Sequence, residues 1–100
     1  MTIMEVSVVP VGTGHPSMGD LVAEIVKVAD NRGVKYQLNA MGTNLEGELD
    51  ELLACARQMH EVAFQRGGQR AFTSIRIDDR RDKDLSMEYK VDSVLERAGV

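Results

Sequence analysis

The fold class this sequence predicts is an α+β sandwich: four antiparallel strands, two helices against one face and a further C-terminal helix. Three observations carry it. Apolar residues alternate with period two in four short segments and recur near period 3.6 in three longer ones. The segments run strand, helix, strand, strand, helix, strand, helix, which is a split βαβ unit used twice, followed by one more helix. The second and third strands stand too close for the crossover helix a parallel pair needs, so a doubly wound sheet is disfavoured. This is the ferredoxin-like βαββαβ sandwich. One hundred residues are too few for two independent cores, so residues 1–100 read as a single domain.

The first strand is Ile3 to Val11, with Met4, Val6, Val8 and Pro10 on one side and Glu5, Ser7, Val9 and Val11 on the other. Gly12-Thr13-Gly14-His15-Pro16 reads as a loop. Ser17 and Asp20 have the spacing of a capping box, and Met18, Leu21, Val22, Ile25, Val28 and Ala29 form the apolar stripe of the first helix. Gly33 closes that helix, where the chain needs a positive φ. Strand two is predicted from Lys35 to Met41 and strand three from Thr43 to Gly47, joined by a tight turn at Met41-Gly42-Thr43.

The second helix places Leu49, Leu52, Leu53, Ala56, Met59 and Ala63 on its apolar face and ends at Gly67-Gly68. Strand four, Arg70 to Asp78, alternates Ala71, Thr73, Ile75 and Ile77 against Phe72, Ser74, Arg76 and Asp78. The last helix spans Leu85 to Ala98 and is expected to bury Met87, Val91, Val94, Leu95 and Ala98 at an edge or end of the sandwich.

Composition narrows the function classes. The net charge of −4 disfavours a nucleic-acid module, which is normally basic. The alternating-sign tract Arg76 to Asp84 reads as a solvated strand end. With Cys55 the only cysteine, no internal disulfide forms and a reducing cytoplasm is the natural compartment. No apolar run approaches the roughly 20 residues needed to cross a bilayer, so no membrane association is expected.

Motifs of catalysis are weak. Gly12-Thr13-Gly14 lacks the third glycine of a dinucleotide fingerprint and the Lys of a P-loop. His60-Glu61 begins like a zinc-protease helix, but Phe64 stands where the second His belongs, so no metal site is expected. His60 is expected at the edge of the apolar stripe of the second helix. No serine sits in a nucleophile elbow, and Cys55, in mid-helix beside the core stripe, reads as an inert small hydrophobe. No catalytic residues are predicted, and an enzyme reading has no support from these residues.

Alternation along the strands makes a different point. The sheet face away from the two helices would show Glu5, Ser7, Val9, Asn39, Met41, Phe72, Ser74 and Arg76. That face is too apolar around Val9, Val11, Met41 and Phe72 to be left as plain surface, so self-association through the sheet is expected, with a polar pocket at the join. The Met41-Gly42-Thr43 turn has a purely structural reading, in which Gly42 permits the turn and Glu46 prepares the second helix. In the functional reading, Asn39 and Thr43 orient a heterocycle, Met41 walls it, and Glu46 pairs with a basic ring nitrogen or amine.

Several segments resemble the thiamine-binding protein family of about 100-residue chains. They are Val6-Ser7-Val8-Val9-Pro10-Val11-Gly12-Thr13-Gly14, Ala40-Met41-Gly42-Thr43 with Glu46-Gly47-Glu48, Met59-His60-Glu61 with Phe64-Gln65 and Gly68, and Gln69-Arg70 through Thr73 to Lys83 with Met87-Glu88 and Lys90-Val91. The resemblance implies a ferredoxin-like subunit that forms dimers or tetramers through its sheets. It implies thiamine, or its hydroxymethylpyrimidine part, as ligand near the subunit interface, with no required cofactor and no catalysis established. It places the ligand against Asn39, Met41, Gly42, Thr43 and Glu46, with Ser7, Phe72 and Arg76 behind them. Asn39-Ala40 stands where many relatives carry Thr-Pro or Ser-Pro, a departure that bears on ligand choice. The alternative is an enzyme or regulatory subunit of cofactor metabolism that acts on another small heterocycle.

Overall fold

A computed structural model of the protein describes residues 1–12 and 18–100. The elements are β1 (Thr2–Val11), α1 (Gly19–Asn31), β2 (Lys35–Asn39), β3 (Gly42–Gly47), α2 (Leu49–Gln65), β4 (Arg70–Asp79) and α3 (Met87–Ala98). The strands form one antiparallel sheet in the order β2-β3-β1-β4. The predicted ferredoxin-like sandwich with its extra helix is therefore the fold. Thr13, Gly14 and His15 of the predicted loop and Ser17 of the predicted capping box lie outside the described residues.

Alternation in β1 decides which face is buried. Thr2, Met4, Val6 and Val8 point to the helices and are buried, whereas Ile3, Glu5, Ser7, Val9 and Val11 point the other way. Leu21, Ile25, Val28 and Ala29 of α1 and Leu52, Cys55, Ala56, Met59, Val62 and Ala63 of α2 close over Met4, Val6, Val8 and Leu45. The α2 stripe is rotated from expectation: Cys55 and Val62 are inside, and Leu53 is exposed. Burying a residue such as Leu52 or Met59 is worth about 1.5–3 kcal/mol each, which makes this single layer the main source of stability.

Helix ends follow backbone chemistry. Gly33 has φ +69° and Gly67 φ +88°. After each, the chain donates back into the last turn, Val34 N–H to the Ala29 carbonyl at 3.0 Å and Gly68 N–H to the Ala63 carbonyl at 2.9 Å. At α3, the Ser86 side chain accepts the Tyr89 N–H at 3.1 Å, a cap worth about 1 kcal/mol.

Three expectations need correction. The β2–β3 hairpin turns at Ala40-Met41, because Asn39 pairs with Gly42; β2 thus ends two residues early and β3 begins at Gly42. The α1 N-cap position is Met18, without a side-chain bond. In α3, Met87 alone is buried, while Val91, Val94 and Leu95 are exposed. Past its first turn the helix does not pack on the sheet: Val91 borders an open recess, and Val94 and Leu95 are exposed.

Candidate functional site

The registers of the three strand pairs assemble rows of side chains across the sheet face away from α1 and α2. One row takes a residue from every strand. Gln37 of β2 pairs with Asn44 of β3, Asn44 with Glu5 of β1, and Glu5 with Arg76 of β4. At the usual spacing of about 4.8 Å between strands, this polar strip runs roughly 14 Å across the sheet.

A recess of about 460 Å³ lies over the strip. Its floor is Glu5, Gln37, Asn44 and Arg76, and its wall is Met87, Lys90 and Val91 of α3, with Ile3 and Asp78 at one end. Arg76 Nε donates to Glu5 Oε1 at 3.1 Å. Both side chains keep substantial contact with water, so the pair contributes little to stability. It does fix a carboxylate and a guanidinium side by side, next to two amides that each donate and accept.

The adjoining row holds α3 over the recess. Glu46, only 8% exposed, faces this side and pairs with Ile3 and Lys35 in register. Its Oε1 accepts the Met87 N–H at 2.7 Å and its Oε2 accepts Lys35 Nζ at 3.1 Å. Lys35 Nζ also donates to Glu88 at 2.8 Å, and Lys90 Nζ bonds Asp78. The Glu88 carboxylate and then Glu46 hold the Lys35 ammonium above its usual pKa, and Lys35 in turn holds Glu88 below the usual carboxylate range.

The residues expected from sequence are divided by this geometry. Arg76 lines the recess. Ser7, Asn39 and Gly42 occupy the next row, with Asn39 paired to Gly42 and Ser7 to Ser74. Phe72 lies one row further, paired with Val9; its ring is exposed, and the Arg70 guanidinium sits 5.2 Å from the ring centroid. Thr43 is buried on the helix-facing side, paired with Val6, and Met41 stands in the hairpin turn with 86% of its surface exposed. Glu46 is engaged with α3 as described.

Ser7, Asn39, Met41, Gly42 and Thr43 instead line a second recess of about 330 Å³, walled by Met18, Val22 and Leu38 between α1 and the hairpin. Its walls are chiefly aliphatic. Orienting a heterocycle needs a few fixed polar groups, and the first recess has four on its floor. Glu5, Gln37 and Asn44 were not among the expected ligand contacts. Glu5 was legible from the β1 alternation, but Gln37 and Asn44 join it only through pairing across the hairpin.

His60 Nδ1 lies 2.6 Å from Thr73 Oγ1, and its ring meets Phe64 edge-on at 5.5 Å between centroids. It therefore bonds a side chain of β4. Cys55 is in the core, and burial pushes its thiol pKa up. Among the described residues, no three His, Cys, Asp or Glu side chains are grouped to hold a metal ion, and no helix is long and apolar enough to cross a membrane.

The sequence model of a family described as thiamine-binding protein matches residues 4–95. The chain is 44% identical to the UPF0045 protein YqgV of Bacillus subtilis over 98 residues, covering 94% of each chain. It is 41% identical to a UPF0045 protein of Methanothermobacter thermautotrophicus, covering 97% of this chain and 99% of the relative. Among solved structures, protein MJ1052 of Methanocaldococcus jannaschii superposes with a TM-score of 0.86 at 34% identity, covering 95% of this chain and 96% of that one. A Thermotoga maritima protein described for thiamine biosynthesis or salvage shares the fold, with a TM-score of 0.76 at 19% identity over 93% of this chain and 97% of that one.

Proposed function

The chain belongs to the thiamine-binding protein family, and we propose on that premise that it binds thiamine, or the hydroxymethylpyrimidine part of it, in the recess over the Glu5 strip. One observation carries the reading: four polar side chains, one from each strand, lie in a single row under an apolar ledge of α3. An aminopyrimidine presents an exocyclic amine beside ring nitrogens, so it needs an acceptor next to groups that both donate and accept. The Glu5 carboxylate supplies the first, and the Asn44 and Gln37 amides supply the second. Arg76 holds Glu5 in place and closes the end of the row. Met87 and Val91 cover the ring from above.

Residues of the neighbouring rows have supporting parts. Ser7, Asn39 and Gly42 border the strip, and Phe72 offers an aromatic face for a second ring. Glu46 acts through α3, by fixing the turn that carries Met87. Met41 and Thr43 lie at the second recess and shape the hairpin from which Gln37 and Asn44 project. Self-association through the sheet, into a dimer or tetramer, would shelter the exposed Val9, Val11 and Phe72 and dry the recess. Binding there would serve sequestration, delivery or regulation.

Calorimetric titration of the intact protein with thiamine is the direct test. Saturable binding that is weakened about tenfold or more in Glu5→Gln supports the reading. Absence of both heat and thermal shift at roughly millimolar ligand, where even a weak site contributes about 4 kcal/mol of binding energy, overturns it.

A further inference from the structure

Arg76, Lys90 and Lys35, the cations around the recess, are each held by a carboxylate of the chain itself. Arg76 Nε donates to Glu5 at 3.1 Å, and Lys90 Nζ bonds Asp78. In the adjoining row, Lys35 Nζ donates to Glu46 at 3.1 Å and to Glu88 at 2.8 Å. Three cations thus face four carboxylates. The N-terminus of α3, the backbone element that would otherwise attract a phosphate, is taken as well. Its Met87 N–H donates to Glu46 at 2.7 Å and its Tyr89 N–H to the Ser86 hydroxyl at 3.1 Å, and Glu88 adds a negative charge to the same turn.

Thiamine carries a permanent positive charge on its thiazolium ring and ends in a primary alcohol. The surplus of carboxylates suits the charge, and the hydroxyl can donate to any of them. A phosphate ester at that oxygen reverses the sign: it adds about 1.5–2 negative charges at pH 7 and brings acceptors in place of the donor. To be held, it must displace a carboxylate. Glu5, Asp78 and Glu88 can turn to water, but Glu46 is only 8% exposed, and once ejected it would be a buried charge without a partner. Other cations lie away from the floor. Arg70 has no carboxylate partner among the described residues, but it stands six residues along β4 from Arg76, roughly 20 Å from the strip. Lys83 lines a separate cleft of about 50 Å³ that shares none of the four floor residues.

We propose that the recess selects by phosphorylation state: it takes thiamine as the free alcohol and excludes the phosphate esters, with Asp78, Glu46 and Glu88 as the excluding groups. The selection rests on the binding proposed above and states which form of the ligand enters. Phosphoryl transfer to the alcohol then comes after release from this chain, not before capture.

Calorimetric titration of the intact chain with thiamine and, separately, with thiamine monophosphate tests the selection. The monophosphate should bind about tenfold or more weakly than thiamine. Asp78→Asn keeps the size of the side chain and leaves Lys90 without its carboxylate, so it should narrow the ratio of the two affinities about threefold or more. Glu88→Gln, an exposed change, should narrow it in the same way at Lys35, and stands in if Asp78→Asn does not fold. A merely structural role for either carboxylate would move both affinities together and leave their ratio fixed. A monophosphate that binds as tightly as thiamine overturns the exclusion and leaves the binding of thiamine standing; loss of that tight binding in Arg70→Ala would then put the phosphate beyond Phe72. A ratio that stays the same in both variants overturns the assignment to these carboxylates. Absence of binding by either compound overturns the thiamine reading and the exclusion with it.

Discussion

The Glu46 carboxylate accepts the backbone N–H of Met87 at 2.7 Å, joining residues 41 apart in sequence and tying the first turn of α3 to the open face of the sheet. This N–H lies in the first turn of a helix, where no backbone acceptor exists, so the carboxylate supplies one. Removing it strands a buried donor and also releases Lys35. Glu46→Ala should therefore cost about 1–3 kcal/mol in urea unfolding, and Glu46→Gln less, because the amide oxygen still accepts. Ligand affinity should fall with the Ala variant as Met87 and Val91 lose their fixed position. Equal stability of Glu46→Ala and the native chain would remove the latch from the account.

Glu5 and Arg76 should separate binding from folding. Both are partly solvated, so Glu5→Gln and Arg76→Ala should each change stability by less than about 1 kcal/mol. Thiamine affinity measured by calorimetry should drop about tenfold to a hundredfold in Glu5→Gln, the range expected for a lost charge-assisted hydrogen bond. The control is Arg57→Ala, an exposed change on α2 away from the recess, which should leave the affinity unchanged.

Two glycines should respond oppositely to alanine. A Cβ on Gly68 would lie 2.6 Å from the Ala63 carbonyl oxygen, in backbone that closes α2 and cannot yield cheaply. Gly68→Ala should destabilise by about 1–3 kcal/mol. Gly19 opens α1, and a Cβ there meets nothing within 4 Å, so Gly19→Ala should stabilise by about 0.4–1 kcal/mol. Thermal melts of the two variants on either side of the native curve are the check.

Cys55 should report on the core through pH. Burial raises its thiol pKa above the ordinary 9.0, so the folded chain keeps the proton after the unfolded chain has lost it. The group's contribution is thus fully present below the unfolded pKa and lost as pH rises through the folded one. The stability difference between the native chain and Cys55→Ala should shrink as pH rises above about 9. Reaction with a disulfide reagent should be slow in buffer and fast in urea; a rapid native reaction would contradict the buried position.

Much of the fold was legible because β1 and β4 alternate cleanly, and because Gly33 and Gly67 mark helix ends where only a left-handed residue fits. The hairpin was misplaced by a residue because Gly42 attracts a turn assignment, yet its lack of a Cβ serves a close approach instead: an added Cβ would stand 3.1 Å from the Val6 carbonyl oxygen. The helical stripe of α3 was correct as a pattern and uninformative about burial, since Val91, Val94 and Leu95 show the spacing of a packed face without a surface under it. For the site, Arg76 could be placed by alternation within one strand. Gln37 and Asn44 could not, because their membership of the strip depends on how two strands line up. Glu46 was expected to prepare the second helix or to pair with a ligand nitrogen, and nothing local shows that its partners are Met87 and Lys35.

A floor tiled by one side chain from each strand has a bearing on how such a protein changes through descent. Each tile can be exchanged alone, without disturbing the oily layer beneath, because Glu5, Gln37, Asn44 and Arg76 all sit on the opposite side from Met4, Leu45 and Met59. Chemical taste can therefore drift in single steps while the scaffold stays put.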